Sequence, residues 1–244
     1  MANWNDPQPR QTGFGSTFSP GISGQAASVD AGLRRYMLSI YNYMASGVLL
    51  SGVIAMLIAE QVLGGNETVI ALLQSPLRWL LILSPFGFIM AMNIGFQRMQ
   101  VGTLKALFWA FCAVMGVSMS TVLIVYTASS VAGAFFASAG AFAGLSLVGY
   151  TTKRSLSAMG AFFTMGLFGL IIAMVINMIW PMPGLGLAIS VLGVVIFAGL
   201  TAWDAQRLKE SYYQVAGSAY AERLAVMGAL TLYLDFINLF QFLL

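Results

Sequence analysis

The chain has 244 residues, of which 59% are apolar and only 8% charged, 11 basic against 8 acidic. Soluble domains carry about 25% charged residues, so these few charges cannot clothe a water-facing surface and the apolar excess must face lipid. The formal charge of +3 is too sparse for a nucleic-acid footprint. The absence of histidine excludes imidazole zinc sites, Ser-His-Asp triads and Cys-His dyads, and the single cysteine, Cys112, excludes an intrachain disulfide.

Residues 1–35 are rich in Gly, Ser, Pro and Gln, as in Gln11-Thr12-Gly13-Phe14-Gly15-Ser16, and lack apolar periodicity. They are expected to form a disordered cytoplasmic tail, with residues 36–244 as the membrane domain. No short apolar region of the secretory-signal kind precedes the first span. A spanning helix needs about 20 apolar residues, and the chain offers seven such runs. The first runs from Tyr36 to Ala59 and ends at Glu60, before a polar interval with Gly64-Gly65-Asn66-Glu67. The second covers Leu77 to Phe96, the third Leu104 to Tyr126 and the fourth Ser130 to Tyr150. Only Thr127-Ala128-Ser129 separates the last two, which predicts a tight hairpin. The fifth covers Leu156 to Ile179, closed by Trp180 and the breakers Pro181 and Pro183. The sixth covers Leu185 to Trp203 and the seventh Leu224 to Leu244. The sequence thus predicts an all-α polytopic membrane protein of seven transmembrane helices, or six if the last segment is re-entrant.

Basic residues set the orientation. With the amino terminus inside, Arg10, Arg34, Arg35, Arg98, Lys105, Lys153, Arg154, Arg207, Lys209 and Arg223 fall on the cytoplasmic side, and only Arg78 falls outside. Small residues recur at four-residue spacing, as Gly47, Ser51, Ala55 and Ala59 on the first span and Gly140 with Gly144 on the fourth. Such stripes let helix backbones approach closely in lipid, here within one bundle or at a homodimer face. No internal repeat points to an inverted-repeat transporter.

Two acidic residues lie against or inside the spans. Asp204 follows Ala202-Trp203 at the end of the sixth, and Asp235 lies well within the seventh. An aspartate at mid-bilayer costs roughly 2.5 to 3.5 kcal/mol on the insertion scale, so a partner or an aqueous cavity is expected. The midpoint between the two positions falls at Ala219–Tyr220, beside Gly217-Ser218. An antiparallel hairpin turning there, with the sixth helix running on past Trp203, would bring both carboxyl groups to similar depth. Two carboxylates in one low-dielectric site cannot both ionise cheaply, so they are expected to share a proton. Arg207 is an alternative partner for Asp204, which could instead be solvated near the interface. Asp235 could equally be a protonated, hydrogen-bonded acid fixing helix contacts. Thr231 and Asn238 share its helix face.

The run Leu232-Tyr233-Leu234-Asp235-Phe236-Ile237-Asn238-Leu239-Phe240 resembles the signature of the Bax inhibitor-1 (transmembrane Bax inhibitor motif) family, in its bacterial form. Asp204-Ala205-Gln206 resembles that family's aspartate-x-glutamine element, and Tyr126 to Phe135 its third-to-fourth hairpin. The resemblance implies a seven-helix fold with the last helix central and wrapped by the other six. It also implies a pH-sensitive calcium leak gated by an aspartate pair, here Asp204 and Asp235, with Arg98 as the nearest match to a latching arginine. Hard-cation preference would use Asp204, Asp235, Asn238 and Thr231 as oxygen ligands for Ca²⁺ as permeant or regulatory ion. No other cofactor, no nucleic acid and no enzymatic activity are expected. Membrane lipid, calcium ions and protons are the expected partners, in a bacterial inner membrane, and oligomeric state is left open. A second reading is a membrane-embedded regulatory partner of another protein, such as a membrane protease or a cell-death regulator. Intramembrane aspartyl proteolysis is disfavoured, because Asp235 lacks the Gly-x-Gly-Asp element those enzymes share.

Overall fold

In lipid every backbone polar group must be satisfied within its own segment, which long apolar runs achieve as helices. The computed structural model describes residues 20–182, 184–218 and 220–244, and contains only helices among them. These are α1 (Pro20–Leu63), α2 (Glu67–Gln74), α3 (Leu77–Gly95), α4 (Val101–Val125), α5 (Ala128–Thr151), α6 (Ser157–Ile179), α7 (Leu185–Val215) and α8 (Tyr220–Leu243). Six of them are long and apolar enough to cross a membrane, or seven spans result if α2 and α3 form one bent span.

Two boundaries differ from the sequence reading. Residues 20–35, expected to be disordered, open α1 as helix, and Leu33 is buried at its packed face. The remainder of the expected tail, residues 1–19, lies outside the described residues. The polar interval after α1 holds a helix of its own, α2, capped by the Asn66 side chain, which accepts from the amides of Thr68 and Val69. Re-entrance was expected of the last segment, if anywhere. Instead α8 is continuous, and the sharp bend lies between α2 and α3.

The hairpins follow their turn chemistry. Thr127 caps α5, its hydroxyl accepting from the Ser130 amide, two residues after α4 ends. Gly217, at φ +77°, turns the chain between α7 and α8 in a conformation that a side chain would resist.

Large apolar side chains cover much of the outer surface of the bundle: Leu49, Met56, Phe136, Phe162, Met165 and Met178 are exposed. The core gathers on α8. Of its most apolar 18 residues 61% are buried, against 39% for α7 and less for every other span. It packs on α1, α4, α5 and α7, whereas α3 leans on α4 and α6 on α7. Four helices rather than six therefore form its immediate sheath.

Segments expected to share the basic side meet at one end of the bundle. Lys105 at the start of α4 pairs with Glu222 at the start of α8, at 2.6 Å. Arg223 donates to the Gln97 carbonyl after α3 at 3.1 Å. Lys209 on α7 donates to the Tyr150 carbonyl near the end of α5 at 2.7 Å. Tyr36 of α1 packs against Tyr212 of α7, their ring centres 5.2 Å apart.

Candidate functional site

The α7–α8 hairpin positions both aspartates. Helix α7 runs twelve residues past Trp203 to Val215, which the hairpin geometry requires. Asp204 then lies about 16 Å along α7 from its end, and Asp235 about 22 Å into α8. The two side chains are 7% and 5% exposed, and their carboxyl groups come within hydrogen-bond reach of one another. Asp235 Oδ2 is buried and has no donor among the described residues. A proton between the two carboxyl groups would supply the missing donor. Without it two acceptors face each other, an arrangement that low dielectric penalises.

Arg207, one turn after Asp204, reaches its Oδ1 from Nη1 at 3.8 Å. Its guanidinium lies 5.3 Å from the Trp203 ring centre and is largely exposed, so it touches the pair from the rim. Arg98, the other candidate latch, lies exposed beyond α3 and is not brought to Asp204: among the described residues only Arg207 forms an ion pair with that carboxylate. Thr231 and Asn238 are half-buried and bond their own helix, Thr231 Oγ1 to the Met227 carbonyl at 3.2 Å and Asn238 Nδ2 to the Leu234 carbonyl at 2.8 Å. No cluster of three or more acidic or cysteine side chains occurs among the described residues.

Two further buried polar nodes are not legible as such in the sequence. Gln206 is buried, its Oε1 accepting from the Leu156 amide at 2.7 Å and its Nε2 donating to the Arg154 carbonyl at 2.8 Å. It therefore fastens the α5–α6 connection to α7 two residues from Asp204. Only its place in the aspartate-x-glutamine element singled it out. The second node joins three helices: Ser51 of α1 bonds the Cys112 carbonyl of α4 and the Tyr233 hydroxyl of α8, each at 2.7 Å. Tyr233 is wholly buried, with Phe108 and Phe111 edge-on to its ring.

The family model described as "Inhibitor of apoptosis-promoting Bax1" matches residues 33–244. The chain is 41% identical to the uncharacterized protein RP147 of Rickettsia prowazekii over 214 residues, 88% of this chain and 89% of that one. It is 37% identical to the inner membrane protein YbhL of Escherichia coli K12 over 218 residues, 88% of this chain and 91% of that one. A Caulobacter vibrioides relative is 41% identical over 227 residues, with 89% of both chains covered. The chain belongs to the Bax inhibitor-1 family.

Proposed function

We propose that this Bax inhibitor-1 family protein is a pH-sensitive calcium leak of a bacterial inner membrane, its amino terminus cytoplasmic, gated by the Asp204–Asp235 pair. The observation that carries the reading is a buried carboxyl pair on adjacent helices, one oxygen of which has no hydrogen-bond partner among the described residues; a shared proton would supply it. With one proton the pair carries a single negative charge, and α7 and α8 are drawn together while Arg207 balances that charge. A second proton removes the charge that Arg207 meets. Loss of the shared proton leaves two like charges in contact. Either change weakens the packing that shuts the hairpin. The leak is therefore smallest where the pair holds one proton and grows on either side.

The donor set fits a cation in passage. Calcium takes six to eight oxygens, roughly. Two carboxylates supply only part of that shell, and water must supply the rest. Asn238 and Thr231 keep oxygen lone pairs free to join it, although their hydrogens are engaged by their own helix. No covalent chemistry is required of the pair, and the role is that of a conduit rather than an enzyme.

Radiolabelled calcium flux into proteoliposomes across pH tests the reading. Asp235→Asn substitutes a permanent amide donor for the shared proton and should flatten the pH dependence. Asp204→Asn should do the same. Flux in either variant that tracks wild type at every pH would remove the gate. The alternative role, modulation of another membrane protein, predicts a flux-free protein whose partner is lost on deleting residues 1–30.

A further inference from the structure

We propose that the basic end of α1 binds the headgroup of an anionic phospholipid, with its phosphate on Arg34 and Arg35 and its glycerol region on Ser39 and Asn42. A groove of about 840 Å³ runs here between α1 and α4, lined by these four residues together with Tyr43 and Trp109. Most other basic side chains at this end of the bundle already have a partner: Lys105 has Glu222, Arg207 has Asp204, and Lys209 and Arg223 each have a carbonyl. Arg34 and Arg35 are exposed and have no ion pair or hydrogen bond among the described residues. Asp30, one turn earlier and also exposed, makes no ion pair with either. Two adjacent guanidinium groups present planar donor forks that match phosphate oxygens.

Below the arginines the same face stays polar where the span has already begun. Arg35, Ser39, Asn42 and Ser46 follow at spacings of four, three and four, which places them in one line down the helix. Ser46 donates within the helix, to the Asn42 carbonyl at 2.7 Å and the Tyr43 carbonyl at 2.9 Å. The Ser39 hydroxyl and the Asn42 amide have no partner among the described residues, and Asn42 is exposed. Polar groups facing hydrocarbon without a partner are unfavourable. The ester and headgroup oxygens of a lipid are the acceptors that lie at this depth. From Arg35 to Asn42 the stripe descends about 10 Å, enough to cross the headgroup layer, which is about 5 to 8 Å deep on each side. Leu38 and Trp109 border the groove with apolar surface, which an acyl chain can cover and a free phosphate ion cannot. The lipid is therefore the occupant that satisfies both ends. This site is separate from the aspartate pair and stands whether or not the leak exists.

Trp109 reports on the groove directly. In the full chain with Trp4, Trp79, Trp180 and Trp203 replaced by Phe, its fluorescence is measured in liposomes containing acyl-brominated phosphatidylglycerol or acyl-brominated phosphatidylcholine. The phosphatidylglycerol analogue should quench more strongly, with a relative association constant at least about fivefold higher, as two basic residues at a membrane surface imply. Arg34→Gln with Arg35→Gln should bring the ratio close to unity, Arg34→Lys with Arg35→Lys should retain most of it, and Asp235→Asn should leave it unchanged. Should the double glutamine variant not fold by circular dichroism, Asn42→Leu serves instead and should lower the ratio with both arginines intact. A ratio near unity before the arginine or asparagine changes, or one that survives in whichever of those variants folds, overturns the proposal.

Discussion

Ser51 carries one hydroxyl hydrogen and has three oxygen neighbours: the Cys112 carbonyl and the Tyr233 hydroxyl, each at 2.7 Å, and the Gly47 carbonyl at 3.0 Å. A carbonyl can only accept, so the hydrogen goes to a carbonyl, and Cys112 is the closer. Tyr233 must then donate to Ser51. Tyr233→Phe removes that donor and leaves the serine oxygen short of a partner in a dry core, a loss of about 1 kcal/mol. Thermal unfolding in detergent should fall by roughly 2 to 4 °C, with the fold unchanged because the ring still fills its site between Phe108 and Phe111. The sequence made the aspartates legible and this serine illegible for one reason. A charge inside a span is rare enough to demand a partner, whereas a serine can always bond its own helix one turn back. Ser120, Ser138 and Thr201 do that here, and nothing in their spelling separates them from Ser51.

Helix packing shows the same division between what a pattern carries and what it leaves open. On α1 the four-residue stripe faces inward: a side chain at Gly47 would strike Cys112 and Phe108, and Ser51, Ala55 and Ala59 are buried. On α5 the stripe of Gly140 and Gly144 is turned outward with open space beside both, and the packed face is Ala134, Ser138, Phe142, Ser146 and Gly149. Helix α5 is rich in small residues on every side, so spacing alone could not say which row meets a neighbour. The two glycine classes should respond oppositely to one methyl group. At Gly149 a Cβ would overlap the Ala202 carbonyl of α7, a backbone atom two residues from Asp204. Gly149→Ala should therefore cost about 1 to 3 kcal/mol as overpacking. Gly140→Ala should be neutral, or stabilising by up to about 1 kcal/mol through helix propensity. Chemical or thermal unfolding of the two variants side by side checks the contrast. Equal responses would mean that α5 is rotated from the orientation described.

Across the whole molecule the chain leaves the basic end through α1 and is back there by Gln97 and Lys105, which touch Arg223 and Glu222 of α8. The stretch between Leu63 and Gln97 has to cross the bilayer once to make that return, and α3, at 19 residues, is about 28 Å long, close to the hydrocarbon thickness. A re-entrant α2–α3 would strand Gln97 on the far side and separate it from Arg223. This predicts seven crossings, and with ten basic residues against one it predicts a cytoplasmic crowded end. The native thiol, Cys112, is fully buried, which leaves a silent background for single-cysteine labelling by a membrane-impermeant maleimide. Gln214→Cys, on the part of α7 beyond the aspartates, should react only in inverted membrane vesicles. Glu67→Cys at the start of α2 should react only in intact cells whose outer barrier is permeabilised, and Leu244→Cys should follow Glu67→Cys. Labelling of Leu244→Cys together with Gln214→Cys would mean an even number of crossings. It would also put the two ends of α8 on one side, which an unbroken helix of 24 residues packed among four neighbours cannot do.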